Sequence, residues 1–134
     1  LAEVEFLELK GEIKEDPRGF SFFPWEKGSL NPQEVVQTFH LVSIRPGQVR
    51  GNHLHPAHRE WLYAFHGRGI LAWEAEPGRL AEKELAGGRT LVLIPPGIPH
   101  ALRNPGPKIL YLLTWRLPEP GAPAEPVSVP RTVL

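Results

Sequence analysis

Proline and glycine interrupt this 134-residue chain roughly every ten residues, with 16 of the first and 13 of the second. Proline fixes φ and removes a backbone donor, while glycine favours turns, so the spacing leaves room only for short elements. Short strands at such intervals, bounded by turn residues, predict an all-β sandwich or barrel. No segment reads as a long amphipathic helix.

The strands expected from alternation and turn signals are Val4 to Leu9, Val35 to Ile44, Val49 to His55, Glu60 to Phe65, Ile70 to Ala75, Leu80 to Leu85, Thr90 to Ile94, His100 to Arg103 and Ile109 to Trp115. Asp16-Pro17-Arg18-Gly19 reads as a turn followed by an aromatic run, Phe20 to Trp25, and Gly28 to Pro32 reads as a loop. Residues 1–117 are expected to form one domain with N-terminal strands, and residues 118–134 a Pro-rich extended tail. The end of that tail, Val127 to Leu134, is apolar enough to cover a sheet edge of its own chain or of a neighbouring subunit.

Composition removes several function classes. The chain has no cysteine, which excludes disulfides, thiolate ligands and Cys nucleophiles, so any metal must be held by nitrogen and oxygen. Its 15 basic and 15 acidic residues cancel, leaving no basic excess to neutralise nucleic-acid phosphates. The apolar stretches are too short to cross a bilayer and no signal peptide is visible, so the expected location is cytoplasmic. Frequent proline, absent methionine and few Asn or Gln point to a thermophilic source.

Two segments hold ligand-type residues. In the first, Gly47 is followed after five residues by His53-Leu54-His55, after four more by Glu60, and after six more by Gly67. In the second, Pro95-Pro96-Gly97 is followed after two residues by His100 and after three more by Asn104. Residues two apart in a strand share a face, so His53 and His55 point the same way. A turn at Pro56 then predicts a hairpin whose second strand opens on Glu60, with His100 supplying a fourth ligand from the opposite wall. Three imidazoles and one carboxylate suit one divalent transition metal, with Zn, Fe, Mn, Ni and Cu all compatible, and they leave positions open for water or substrate.

These two segments, GQVRGNHLHPAHREWLYAFHG and GRTLVLIPPGIPHALRN, resemble the two motifs of the cupin superfamily, with Gly88 one residue further from Pro95 than the pattern has it. The resemblance covers about residues 35 to 116. It implies a double-stranded β-helix, a jelly-roll barrel, with metal ligands at His53, His55, Glu60 and His100. The stretch Arg50-Gly51-Asn52-His53-Leu54-His55, with IPPGIPHALRNPGPKILYLLTW, is further similar to cupins acting on keto-sugar nucleotides. The zinc-bearing C-terminal cupin of capsular polysaccharide biosynthesis reductase-epimerases is the best match, which makes zinc the first choice of metal. The same stretch resembles keto-sugar 3,4-isomerases and, through Arg50-Gly51 and His53, the 3,5-epimerases of deoxysugar pathways. No Gly-rich dinucleotide loop accompanies it in this sequence.

The resemblance implies an epimerase or isomerase working beside a carbonyl, with His58, Tyr63 and Tyr111 as candidate catalytic bases. Arg50, Arg59 and Arg103 flank the motifs, and Arg50 and Arg103 are the candidates to grip an anionic small-molecule substrate. A solvated loop position is the competing reading for His58, and surface ion pairs for the arginines. His66 reads as structural, and nothing in the pattern decides whether His40 faces core or surface. Trp61, Tyr63 and Phe65 have the opposite parity to Glu60, which predicts an outward aromatic face and, with it, a homodimer. A metal-dependent dioxygenase and a non-enzymatic module for a small ligand or metal remain alternatives.

Overall fold

The computed structural model describes residues 3–8, 13–22 and 38–134. Its strands are β1 (Glu5–Glu8), β2 (Ile13–Asp16), β3 (Gly19–Phe22), β4 (His40–Ile44), β5 (Val49–Leu54), β6 (His58–His66), β7 (Gly69–Glu76), β8 (Arg79–Leu85), β9 (Thr90–Ile94), β10 (His100–Arg103), β11 (Leu110–Pro118) and β12 (Val129–Pro130). They build two five-stranded sheets, ordered β1-β9-β6-β11-β4 and β12-β5-β10-β7-β8, and a small β2-β3 hairpin. Every pairing is antiparallel. The all-β architecture expected from the punctuation, and the jelly-roll that the resemblance implies, are therefore observed.

The core lies between the two sheets. Ile44, Leu62, Val92, Ile94, Leu110 and Leu112 from the first sheet meet Leu71, Leu85 and Leu102 from the second, all of them buried. Alternation explains which side chains enter: on β6, Glu60, Leu62 and Ala64 face in, and Trp61, Tyr63 and Phe65 face out.

Two expectations change here. The long strand expected over 35–44 begins only at His40; Thr38 has helical backbone, and residues 35–37 fall outside the described set, as do residues 23–25 of the aromatic run and the whole 28–32 loop. The Thr38 hydroxyl both donates to Arg116 O (2.8 Å) and accepts from Arg116 N (2.6 Å), satisfying β11 where the β4 ladder stops. The second change is larger: β5 and β6 are not a hairpin. β5 lies in one sheet and β6 in the other, because Pro56 lacks the N–H needed to continue a ladder and the chain crosses between sheets at 55–57.

The outward aromatic stripe has the expected parity but is not an open face. Tyr63 is buried, and Trp61 stacks on the fully buried Trp115 with ring centroids 6.2 Å apart. Phe65 stays exposed and stacks on Tyr111 at 6.1 Å, with Phe39 and Leu41 also exposed on that side.

After β11 the segment 119–134 runs along the second sheet, with β12 pairing β5 at Leu54 and His53. Val133 is buried against Ala72 and Ala101 on the outer face of that sheet. No helix among the described residues is long and apolar enough to cross a membrane.

Candidate metal centre

His53, His55, Glu60 and His100 come together in the barrel interior, each offering a ligand atom within 4.8 Å of the others. The walls are the reverse of the sequence expectation. His100 on β10 is the direct cross-strand partner of His53 on β5, so these two share a wall, Glu60 faces them from the other sheet, and His55 follows the end of β5 where the chain crosses. The imidazole ring centroids lie 4.7 Å (His53 to His55), 4.9 Å (His53 to His100) and 5.8 Å (His55 to His100) apart.

A bulge on β5 sets this geometry. The register steps from His100↔His53 to Ala101↔Gly51, which leaves Asn52 as an extra residue with φ +54°. Without it, Arg50 and His53 would point to opposite faces. With it, Arg50 faces in beside Leu102 while His53 faces in beside His100. Gly51 has φ +100°, and a Cβ there would sit 2.9 Å from the main-chain oxygen of His100, so the position requires glycine.

Hydrogen bonding fixes how the imidazoles are turned. Main-chain carbonyls only accept, so Nδ1 of His55 donates to Val127 O at 3.1 Å and Nδ1 of His100 donates to Ile98 O at 2.9 Å. In each neutral ring Nε2 then presents its lone pair to the centre. His55 Nε2 is buried there without a hydrogen-bond partner, 3.4 Å from Glu60 Oε2, and His100 Nε2 lies 3.0 Å from Glu60 Oε1. A lone pair facing a carboxylate oxygen needs a cation between them, either a second ring proton or a metal ion. The donor set of nitrogen and oxygen, buried and aimed at one point, fits a divalent transition metal.

Charge in the site is asymmetric. Burial opposes ionisation of Glu60, but the close approach of His100 and His55 and the charge of Arg116 outweigh it and hold the carboxyl well below its usual range. Burial and the neighbouring His100 and His55 push the His53 imidazole down to about 4. Arg116, directly across from Glu60 on β11, binds Glu60 Oε2 through Nε at 2.7 Å.

A cavity of about 180 Å³ opens beside this cluster. Val42, Ile44, Leu62, Leu102 and Leu112 form its apolar wall, and His40, Arg50 and Arg116 bring polar groups to it. The sequence reading left His40 undecided and did not single out Arg116. β11 carries apolar residues on both faces, which hides its parity, although Leu110, Leu112, Thr114 and Arg116 form one alternate set.

Other candidates lie elsewhere. His58 is buried at the start of β6, its Nε2 donating to Ala124 O at 3.2 Å, and does not line the cavity; the solvated loop expected there is in fact covered by segment 119–134. Tyr63 points to the outer face, where its hydroxyl donates to Gly88 O. Tyr111 is likewise outward and exposed. Arg103 alternates out of the interior while Leu102 points in. His66 binds Ile109 O through Nδ1 at 2.9 Å. Asn104, the last motif residue, is a turn staple: its amide donates to Ile44 O and Lys108 O, and its Oδ1 accepts from Gly106 N.

The sequence matches the cupin domain family over residues 40–116. The chain belongs to the cupin family. No curated protein sequence matches this cupin at a significant level. Among solved structures it is similar to the capsular polysaccharide assembling protein CapF of Staphylococcus aureus, at 23% identity and a TM-score of 0.59, over 71% of this chain and 26% of that one. It thus spans about a quarter of the CapF chain. QdtA, a sugar 3,4-ketoisomerase of Thermoanaerobacterium thermosaccharolyticum solved with TDP, matches at 14% identity and a TM-score of 0.63, over 87% of this chain and 82% of that one. RmlC of Legionella pneumophila, a dTDP-6-deoxy-D-glucose-3,5-epimerase solved with dTDP-4-keto-L-rhamnose, matches at 15% identity and a TM-score of 0.64, over 88% and 68%. At these identities the likeness shows a shared fold.

Proposed function

We propose that this cupin is a metal-dependent epimerase or isomerase acting beside the carbonyl of a small anionic substrate, with a keto-sugar nucleotide as the concrete candidate. One divalent transition metal, zinc first among Zn, Fe, Mn, Ni and Cu, would be held by His53, His55, Glu60 and His100. The observation that carries the metal is the His100 Nε2 to Glu60 Oε1 contact of 3.0 Å, made by a ring whose other nitrogen is already committed to Ile98 O. The substrate class is supported by the fold shared with sugar-nucleotide isomerases and epimerases and by the cationic lining of the cavity.

A bound divalent ion polarises a carbonyl and favours loss of a proton from the adjacent carbon. The remaining work falls to this chain's own side chains. Arg50 and Arg116 hold the anionic part of the substrate, with the guanidinium of Arg116 anchored through Nε and its Nη groups available to an oxygen. The apolar wall of Val42, Ile44, Leu62, Leu102 and Leu112 excludes water and strengthens these contacts. His40 replaces His58, Tyr63 and Tyr111 as the base: Nδ1 donates to Thr38 O at 2.7 Å, which leaves Nε2 to take the substrate proton and return it to carbon.

Metal-loaded protein incubated with keto-sugar nucleotides in deuterated water is expected to wash solvent deuterium into the position beside the carbonyl. Failure to exchange across nucleoside diphosphate keto-sugars of both 3-keto and 4-keto type would sink the assignment. His40→Ala is expected to reduce exchange by about 10²- to 10⁴-fold with metal content unchanged. A second copy of the chain is expected to pack on the outer face around Leu41 and Phe65.

A further inference from the structure

Segment 119–134 would be an unremarkable surface tail if it touched only the surface, but two of its carbonyls reach buried histidines, one of them in the candidate metal cluster. Val127 O accepts the Nδ1 proton of His55 at 3.1 Å, with Ser128 Oγ a further 3.4 Å contact at the same nitrogen. Three residues upstream, Ala124 O accepts from His58 Nε2 at 3.2 Å. The far end of the segment is anchored to the bulge that aims His53. Asn52 Oδ1 accepts from Val133 N (2.8 Å) and Leu134 N (2.9 Å), and Asn52 O accepts from Arg131 N (2.8 Å). Arg131 also grips both carboxylate oxygens of Glu74, at 3.0 and 2.9 Å, and Val133 is buried over Ala72 and Ala101.

We propose that segment 119–134 is a strap that turns His55 into its metal-binding orientation, so that docking of the segment and occupancy of the centre stabilise one another. The inference rests on the metal reading given above. Its logic is that an imidazole ligates well only when its remote nitrogen has a fixed acceptor that sets tautomer and ring plane. His100 takes that acceptor from Ile98, two residues away on its own stretch of chain. His55 takes it from a residue 72 positions downstream, so its orientation depends on whether the strap is seated. Linkage then requires reciprocity: whatever factor the seated strap adds to metal affinity, the metal adds to strap docking. Val127 and Ser128 are positioning groups and touch no reacting atom.

The anchor offers a way to loosen the strap at a distance from the centre. The double variant Arg131→Ala/Val133→Ser leaves every proposed ligand and the Val127 carbonyl in the chain. Zinc affinity, read by competition with a chromophoric chelator, is expected to fall about tenfold or more. Arg131→Glu alone is expected to lose affinity similarly and to regain it in the charge-swapped pair Glu74→Arg/Arg131→Glu. Val92→Ala, a core substitution away from the strap, serves as the comparison: it is expected to lower Tm while leaving zinc affinity within about twofold. In the unmodified protein, adding zinc is expected to slow hydrogen exchange at the amides of Arg131, Val133 and Leu134.

Strap variants that bind zinc as the parent does, or tail amides whose exchange ignores zinc in a parent that binds it, would overturn the strap and leave the metal centre standing. An equal loss of affinity in Val92→Ala would also overturn it, because the effect would then be one of general stability. A parent chain that takes up neither zinc nor any other of the divalent metals named would overturn the metal reading and the strap with it.

Discussion

Among the described residues Glu60 carries the only carboxylate lining the cavity, and it is approached by His55, His100 and Arg116 at once. Glu60→Gln removes the one anionic ligand, and His100→Ala removes a ligand from the opposing wall. Each is expected to abolish stoichiometric metal in elemental analysis of purified protein; a variant with the parent's metal content would move the centre elsewhere. The metal-free protein has its own titration signature. His53 is held to about 4 by burial and by its two imidazole neighbours, against about 6.5 in an unfolded chain. Between those values the unfolded state binds more protons than the folded one, so the stability that neutral His53 contributes is complete above pH 6.5 and declines as pH falls towards 4. A proton-NMR titration of the apo protein should find the His53 ring still neutral at pH 5.5; half-titration near 6.5 would contradict the burial of this group. The four candidate ligand residues were legible because strand parity and motif spacing mark them. Arg116 and His40 were not, since β11 is apolar on both faces and the sequence does not mark His40 as the start of β4.

Strands were legible where turn residues bracket them closely. β9 and β10 match the sequence reading at both ends, while β6 and β11 run beyond it because Arg59 and Arg116-Leu117 continue the ladder past the last obvious alternation. What alternation does not encode is which sheet a strand joins. Pro56 reads equally as the turn of a hairpin or as a crossing, and only the packing of the two sheets decides for the crossing. The bulge at Asn52 was equally hidden, because one extra residue inverts parity without a change of composition. The bulge region makes a quantitative contrast with an ordinary turn. Gly47 has φ +78° with open space around it, so Gly47→Ala is expected to cost about 1–2 kcal/mol, the left-handed strain alone. Gly51→Ala adds a main-chain clash at His100 and is expected to cost several-fold more and to weaken metal binding. Urea unfolding of both variants checks the order; equal losses would mean that β5 and β10 relax apart freely.

Across the whole molecule, the described residues leave Leu41, Phe39, Phe65 and Tyr111 exposed on the outer face of the first sheet, with Leu41 the most open at 66%. A dimer using this face is expected by sedimentation at micromolar concentration, and Leu41→Arg is expected to shift it to monomer without lowering Tm; a monomeric parent would refute the interface. The sequence reading reached that face by parity alone and overstated it, since Tyr63 and Trp115 are already buried within one chain.

The placement of His53 and His100 in one sheet, Glu60 in the other and His55 at the crossing between them has a mechanical consequence. An ion held by all four would rivet two layers otherwise joined by side-chain packing and by crossing loops. The layers could not slide or part without breaking coordination, so release of the ion and separation of the layers would share a single barrier. Loss of metal to a chelator would then be slow in folded protein, timed by the breathing of the sandwich rather than by diffusion through the mouth of the cavity.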